Sequence, residues 1–175
     1  DNAERTSLLF AGQKEMVHIP QYYRQLSSER SITMEFIRGV KINDKQQIQQ
    51  LGIDPKIVAA NLVYVFGQMI FRFGHIHCDA HPGNILVRKS PSGKPQIVLL
   101  DHGLYREISW EFRQNFSRLW LGLITFNNKE TEAAALALNI HKHLEFLPLI
   151  FLYRTKDSKK KLGAPMTPEE RKYLR

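Results

Sequence analysis

Residues 74–103 read GHIHCDAHPGN (74–84), ILVRKSPSGKPQIVLL (85–100) and DHG (101–103). Gly74 stops the apolar run ahead of it, and the polar cluster from His75 to Asn84 predicts a loop. Ile85-Leu86-Val87 and Ile97-Val98-Leu99-Leu100 are short apolar runs on either side of Ser90-Pro91-Ser92-Gly93-Lys94-Pro95. Two strands joined by so turn-rich a connection predict a β-hairpin. A hairpin brings the chain back to its starting point, so Asn84 before the first strand and Asp101 after the second are expected side by side. A carboxylate beside a carboxamide oxygen is hard-cation chemistry, suited to a Mg²⁺ that keeps several waters and is completed by substrate phosphates. Asp79 lies on the same loop, five residues before Asn84. In phosphoryl transfer, such an Asp orients the attacking hydroxyl or water and accepts its proton.

Outward from this stretch the pattern is mainly helical. Residues 3–16 are expected as a helix and Val17 to Pro20 as a short extended exit. Ser31 to Ile37 is β-branched and alternating, which predicts a strand ended by Gly39. Asp54 followed by Pro55 is a strong helix start, a side-chain cap and then proline at the first helical position, and a long buried helix is expected to about Phe73. Beyond Ser109, a cap candidate, helices are expected over 110–126, 129–141 and 143–153, with a last one after Thr167-Pro168. Phe71, Phe73, Trp110, Phe112, Phe116 and Trp120 fall at helical spacings and read as core. The predicted fold class is α+β, mainly helical, and no internal repeat is visible.

The chain has 175 residues, 43% of them hydrophobic, enough to bury a core. Lys and Arg outnumber Asp and Glu by 25 to 17, a net charge of +8 that favours anionic partners. Lys156 and Lys159-Lys160-Lys161 beside Gly163, Pro165 and Pro168 read as an exposed basic loop, which an anionic membrane surface would attract. Cys78 is the single cysteine, so an intrachain disulfide and a four-cysteine zinc site are excluded and a reducing compartment is the natural reading. The apolar segments around Leu62 to Phe73 and Ala133 to Tyr153 read as too short or too interrupted to span a bilayer. The N-terminal residues form neither a signal nor a transit peptide, and the sequence begins as if cut from a longer one.

Asp, four residues, Asn, then a hairpin and Asp-x-Gly resembles the catalytic and metal-binding loops of the protein-kinase superfamily. Cys78-Asp79-Ala80-His81-Pro82-Gly83-Asn84 more specifically resembles the Ala-Asp-Pro-His-Pro-Gly-Asn loop of the UbiB (ADCK, aarF-domain) atypical kinase-like family. Leu99-Leu100-Asp101-His102-Gly103-Leu104-Tyr105-Arg106 is similar to that family's Asp-His-Gly metal motif. Asn2-Ala3-Glu4-Arg5, Thr33-Met34-Glu35-Phe36 and Gly39 add to the likeness, which covers roughly residues 1–127. The departures are Ala80 where the family has Pro and Cys78 where it has Ala.

The resemblance implies the C-terminal lobe of a kinase-like fold, with residues 1–127 as catalytic core and 128–175 as a helical extension carrying the basic loop. It implies Asp79 as catalytic residue, Asn84 and Asp101 as metal ligands, and the Glu35, Phe36 and Ile37 backbone as the hinge beside adenine. His77, His81, Pro82, Gly83 and Gly103 would shape the loops. ATP and Mg²⁺ are the implied cofactors, and mitochondrial support of quinone or lipid metabolism the implied setting. A membrane surface or a lipid or quinone-related ligand is an implied partner, and no nucleic acid is expected. The family's nucleotide loop, strand lysine and Lys-x-Gly-Gln element do not occur here, so the N-terminal lobe of the same protein is expected to be needed for ATP binding.

Three rivals stand beside this reading. An aminoglycoside- or choline-type small-molecule kinase also uses His-x-Asp-x-His-Pro-x-Asn, but the Asp101–Arg106 segment argues against it. A non-catalytic pseudokinase scaffold would have no chemical need for Asp79, Asn84 and Asp101 together. The string His75-x-His77-x-Asp79-x-His81 invites a zinc hydrolase reading, which the intervening Ala80 and the preceding helix disfavour. Cys78 as a nucleophile is set against the simpler account of a small side chain in a tight loop.

Overall fold

Asp54 and Pro55 do what their chemistry requires. In the computed structural model, which describes residues 2–152, the Asp54 carboxylate accepts the Lys56 N–H at 2.9 Å and Pro55 opens helix α3, Pro55–Gly67. The helix continues as a π-helical turn over Gln68–Phe73, and Gly74, left-handed at φ 68°, ends it. Val65 and Met69 face a core of Phe10, Val17, Ile85, Ile97 and Leu99, while Val58 packs with Ile48, Ile53 and Val87.

Helix α1 (Asn2–Leu9), strand β1 (Val17–His18), strand β2 (Val40–Lys41) and helix α2 (Lys45–Gln50) precede α3. The hairpin is present as β4 (Ile85–Lys89) and β5 (Pro95–Leu99), antiparallel from Ile85 opposite Leu99 to Lys89 opposite Pro95. It is the centre of a sheet ordered β1-β5-β4-β2, with β1 parallel to β5. Gln96 to Leu99 are all buried, in the strand that lies between β1 and β4. A second, two-stranded sheet pairs β3 (His75–His77) with β6 (Tyr105–Glu107). The head of the expected 75–84 loop is thus a strand, with His75 and His77 buried on one face by the two-residue period.

Other expectations are corrected. The 3–16 helix stops at Leu9 and gives way to a 3₁₀ turn, Ala11–Gln13, as Phe10 turns into the core against Phe73. Ser31 to Ile37 is not a strand. It makes isolated bridges, Tyr22 to Met34 and Ser28 to Ser31, with hydrogen bonds to residues 21–23 on one side. Ile32 and Phe36 remain 72% and 85% exposed, so β-propensity there lacks the packing that turns it into a strand. Gly39 leads into β2 rather than ending a strand.

Nor is α3 buried all round. Ile57, Val63, Tyr64 and Phe71 lie on its open face. Against the sequence reading, Pro55–Phe73 is, among the described residues, a helical run long and apolar enough to cross a membrane by length and composition.

The chain divides into two compact units, Asp1–Ile108 and Ser109–Arg175. In the second, the Ser109 hydroxyl caps α4 (Trp110–Thr125) and the Asn127 carboxamide caps α5 (Asn128–Ala137). Asn139, left-handed at φ 58°, follows α5, and 3₁₀ turns over His141–Phe146, kinked at His143, lead into α6 (Leu147–Leu152). Leu119, Leu123, Ala134, Ala135 and Leu147 form this unit's core. Phe116 and Trp120 pack edge-on against Phe151, but Trp110 and Phe112, like Phe71, are exposed rather than core. The basic loop and the helix expected after Pro168 lie outside the described residues.

Two glycines test the packing with opposite signs. A Cβ on Gly122 would sit 2.6 Å from Thr131 Oγ1 and 2.9 Å from its backbone N, where α4 meets α5, whereas a Cβ on the helical Gly67 meets nothing within 4 Å. Gly122→Ala is expected to destabilise by about 1–3 kcal/mol, and Gly67→Ala to stabilise by about 0.5–1 kcal/mol. Urea unfolding of the two variants checks both signs.

Candidate active site

The open end of the β4–β5 hairpin is closed by a 2.9 Å bond from Leu100 N–H to the Asn84 carbonyl. Asn84 and Asp101 therefore emerge together, and both line one cavity of about 540 Å³ with Tyr22, Arg24, Met34, Leu100 and Gly103. The Asn84 amide nitrogen donates to the Asp79 carbonyl at 3.2 Å, closing the 79–84 loop on itself and leaving the carboxamide oxygen as the atom that can meet a cation. The Asp101 Oδ1 accepts the Gly103 N–H at 2.8 Å. At Gly103 a Cβ would come 3.2 Å from that oxygen, so the lack of a side chain keeps the carboxylate close to its own turn.

Asp79 is positioned by His77. The Asp79 N–H donates to His77 Nδ1 at 3.1 Å, from a ring that is 3% exposed at the end of β3. His81 acts in the same way further along the loop. Its Nδ1 accepts the Gly83 N–H at 3.0 Å at the head of the Pro82–Asn84 3₁₀ turn, and a Cβ on Gly83 would lie 2.6 Å from the His81 ring. Cys78 is exposed, donates its thiol to the Ile76 carbonyl and gives its N–H to the Leu104 carbonyl at 3.0 Å.

Side chains that the sequence reading did not single out hold the segment around Asp101. The Leu99 carbonyl meets His102 Nε2 at 3.0 Å, the Leu100 carbonyl accepts the Tyr22 hydroxyl at 2.8 Å, and the His102 carbonyl accepts the Asn2 amide at 2.9 Å. His102 Nδ1 lies 2.8 Å from the Tyr105 hydroxyl. Tyr105 stacks on His75 and His102 and leans on His77. Glu107 joins His75 Nδ1, at 2.6 Å, to the Arg5 guanidinium of α1. Spacing along one chain cannot announce contacts between positions this far apart, and Tyr105 was visible only as one residue of a motif.

Burial sets the electrostatics here. It pushes the Tyr105 phenol up to about 12, against the pull of Thr6, and lowers His102 to about 4, against the pull of the Leu99 carbonyl. It also lowers His77, with the backbone and charge of Asp101 opposing, and raises Tyr22 together with the Asp101 charge. His75 Nε2 and His77 Nε2 are buried without a hydrogen-bond partner among the described residues.

The predicted hinge lies on a neighbouring cavity of about 460 Å³ formed by Ile32 to Ile37 with Leu86 and Leu100. The Glu35 N–H is committed to the Gln21 carbonyl, which leaves Phe36 and Ile37 as the backbone edge. The Glu35 carboxylate turns to His18 at 2.7 Å and to the Gln21 N–H. Burial pushes its pKa up, but His18, Gln21 and Arg88 together hold it below the usual carboxylate range.

Two protein oxygens beside an open cavity make an incomplete cage, and they suit a hard cation completed by phosphate and water. The zinc alternative is disfavoured by tautomer: His77 and His81 accept the Asp79 and Gly83 N–H at Nδ1, so as neutral rings they carry their hydrogen on Nε2 and offer a cation no lone pair in this arrangement. Among the described residues no three His, Cys, Asp or Glu side chains gather as a metal site.

Comparison with known proteins gives the chain its relatives. The profile of the ABC1 atypical kinase-like domain matches residues 1–135. The chain is 39% identical over 97% of its length to "Probable serine/threonine-protein kinase abkD" of Dictyostelium discoideum. It is 43% identical over 75% of its length to "AarF domain-containing protein kinase 1" of Gallus gallus. It spans about a quarter of the length of each, 25% in both cases. Among solved structures, the Rv3197–erythromycin complex from Mycobacterium tuberculosis shares the fold, with a TM-score of 0.57 at 12% identity, over 99% of this chain and 50% of that one. The expected fold class, mainly helical α+β of the kinase-like kind, is the one observed.

Because His102 is neutral when folded and its pKa of about 4 lies below the ordinary value of 6.5, the unfolded chain binds its proton first as pH falls. Its contribution to stability is whole above pH ~6.5 and is lost as pH falls through the folded value of about 4. Urea unfolding between pH 7 and 4 should show His102→Phe losing up to about 3 kcal/mol less than the unmodified protein.

Proposed function

The chain belongs to the ABC1 atypical kinase-like family, and from that premise we propose that it carries the metal and phosphate side of a Mg-ATP-dependent phosphotransferase or ATPase site. The observation that supports this most is the joining of Asn84 and Asp101 by the Leu100–Asn84 bond, beside a cavity that Met34 and Leu100 share with the hinge segment. Asn84 and Asp101 would hold the Mg²⁺, which neutralises charge on the transferred phosphoryl group. Asp79, with its backbone held by His77 and by the Asn84 amide, is the group that orients the attacking hydroxyl or water and takes its proton. Adenine would lie against Leu86 and Leu100 and take its hydrogen bonds from the Phe36 and Ile37 backbone. The N-terminal lobe of the same protein completes the site above this cavity. By family likeness the protein works in mitochondria, in support of quinone or lipid metabolism, at or near a membrane surface.

The deciding experiment is Mg²⁺-dependent ATP turnover by the intact protein, with ATP binding measured on the same samples. Asp79→Asn is expected to lower turnover by about a hundredfold or more while leaving nucleotide bound, and Asp101→Asn to remove the response to Mg²⁺. Tight Mg-ATP binding with no turnover in the unmodified protein would replace this reading by a nucleotide-binding scaffold. Turnover indifferent to both substitutions would place the chemistry elsewhere.

A further inference from the structure

Tyr105 lies outside the ligand and loop residues assigned above, yet its hydroxyl reaches toward Asp101 through a single intermediary. We infer that Tyr105 is a positioning residue for Asp101, acting through the His102 ring. The inference rests on Asp101 being a metal ligand, as proposed above.

The tautomer of His102 follows from its partners. Its Nε2 lies 3.0 Å from the Leu99 carbonyl, which has no proton to give, so Nε2 carries the hydrogen. Nδ1 is then a bare acceptor, and the donor facing it at 2.8 Å is the Tyr105 hydroxyl. The ring is 8% exposed, so water is a poor substitute for that donor. The bond from Nε2 to Leu99 closes a turn around Leu100 and Asp101, and the Gly103 N–H then fixes the Asp101 carboxylate.

Tyr105 is itself held from two directions. It stands opposite His77 in the β3–β6 pair and stacks on His75 at 4.4 Å and on His102 at 5.7 Å, nearly parallel to the latter at 12°. The strand that enters the Asp79 loop therefore sets the ring that orders the Asp101 turn. Tyr105→Phe keeps the stack and removes only the donor. The orphaned Nδ1 finds a new donor only if the His102 ring turns, and that turn releases the Leu99 carbonyl and the segment that carries Asp101.

The test is a double-mutant cycle on the intact protein with Tyr105→Phe, His102→Phe and both, reading the Mg²⁺ dependence of ATP binding and of turnover alongside thermal stability. Tyr105→Phe alone should raise the Mg²⁺ needed for half-maximal response about tenfold, the factor of one buried acceptor left unpaired. In the His102→Phe background, which has no Nδ1 to satisfy, the same change should alter it less than about twofold. Imidazole ¹⁵N spectra should report His102 as the Nε2–H tautomer and should change on Tyr105→Phe. Equal losses in both backgrounds, or a drop in melting temperature without a shift in Mg²⁺ response, would make Tyr105 a packing residue and overturn the inference. If His102→Phe fails to fold, an unchanged Nδ1 ¹⁵N shift and unchanged Mg²⁺ response in Tyr105→Phe alone overturn it equally. An intact unmodified protein that binds ATP without regard to Mg²⁺ removes Asp101 as ligand, and the role of Tyr105 falls with it. A protein that binds Mg-ATP without turnover leaves the binding cycle decisive.

Discussion

The hydrogen bond from Leu100 N–H to the Asn84 carbonyl is the constraint on which the site depends. It exists only if β4 and β5 pair in the register that sets Ile85 opposite Leu99. A slip of one residue would turn Ile85 and Val87 out of the core and part Asn84 from Asp101. The register is therefore secured by apolar burial rather than by the polar residues that use it: Ile85, Val87, Ile97 and Leu99 are each no more than 2% exposed. Flanking pairs with β1 and β2 remove both free edges of the hairpin. The juxtaposition of Asn84 and Asp101, the proposed metal ligands, is thus a by-product of hydrophobic packing, placed where the sheet ends and its backbone is free to turn.

Beyond the sheet, the segment carrying Asp101 has no ladder to satisfy its carbonyls, and side chains take over. Tyr22, His102 and Asn2 meet the carbonyls of Leu100, Leu99 and His102, and the Cys78 N–H meets that of Leu104. The arrangement leaves buried imidazole nitrogens on His75 and His77 without partners among the described residues, a cost that a purely structural core would shed. Asn2, Arg5 and Thr6 lie three and four residues apart, on one face of α1. Asn2 and Arg5 bond the His102 carbonyl and Glu107, so a shift of α1 has a direct mechanical path to the Asp101 turn.

What the sequence revealed and what it hid divide along physical lines. The hairpin, the Asp54–Pro55 start, the Gly74 stop and the Ser109 cap are local and legible, because each depends on residues adjacent in the chain. Ser31 to Ile37 has strand composition without two-sided pairing, and composition cannot tell a strand from an extended segment bonded on one side. Apart from Lys56 and Asn61, helix α3 is apolar on every side, so periodicity says little of which face is covered, and the exposure of Val63 emerges only in three dimensions. Asp79, Asn84 and Asp101 could be picked out by residue type and spacing. Tyr22 and Asn2 could not, because their contribution is a bond to a carbonyl up to a hundred positions away, and Tyr105 could not, because its bond to His102 Nδ1 depends on how the turn between them folds.

If Asn84 and Asp101 are the ligands, as proposed, the economy of that set accounts for the amount of structure devoted to one turn. A cation held by a closed cage tolerates small errors in any single ligand, since the others compensate. As the proposed ligands, Asn84 and Asp101 would supply only two oxygens, and a Mg²⁺ completed by water and phosphates demands near-octahedral geometry. An angular error in either ligand is then passed directly to the position of the phosphates, where small displacements carry large penalties in rate. Rigid placement of the Asp101 backbone is the remedy open to the chain, and rigid placement outside a ladder needs side-chain bonds from several elements at once. Tyr22, His102 with Tyr105, and Asn2 reach that turn from three parts of the sequence, and each carries a share of the restraint.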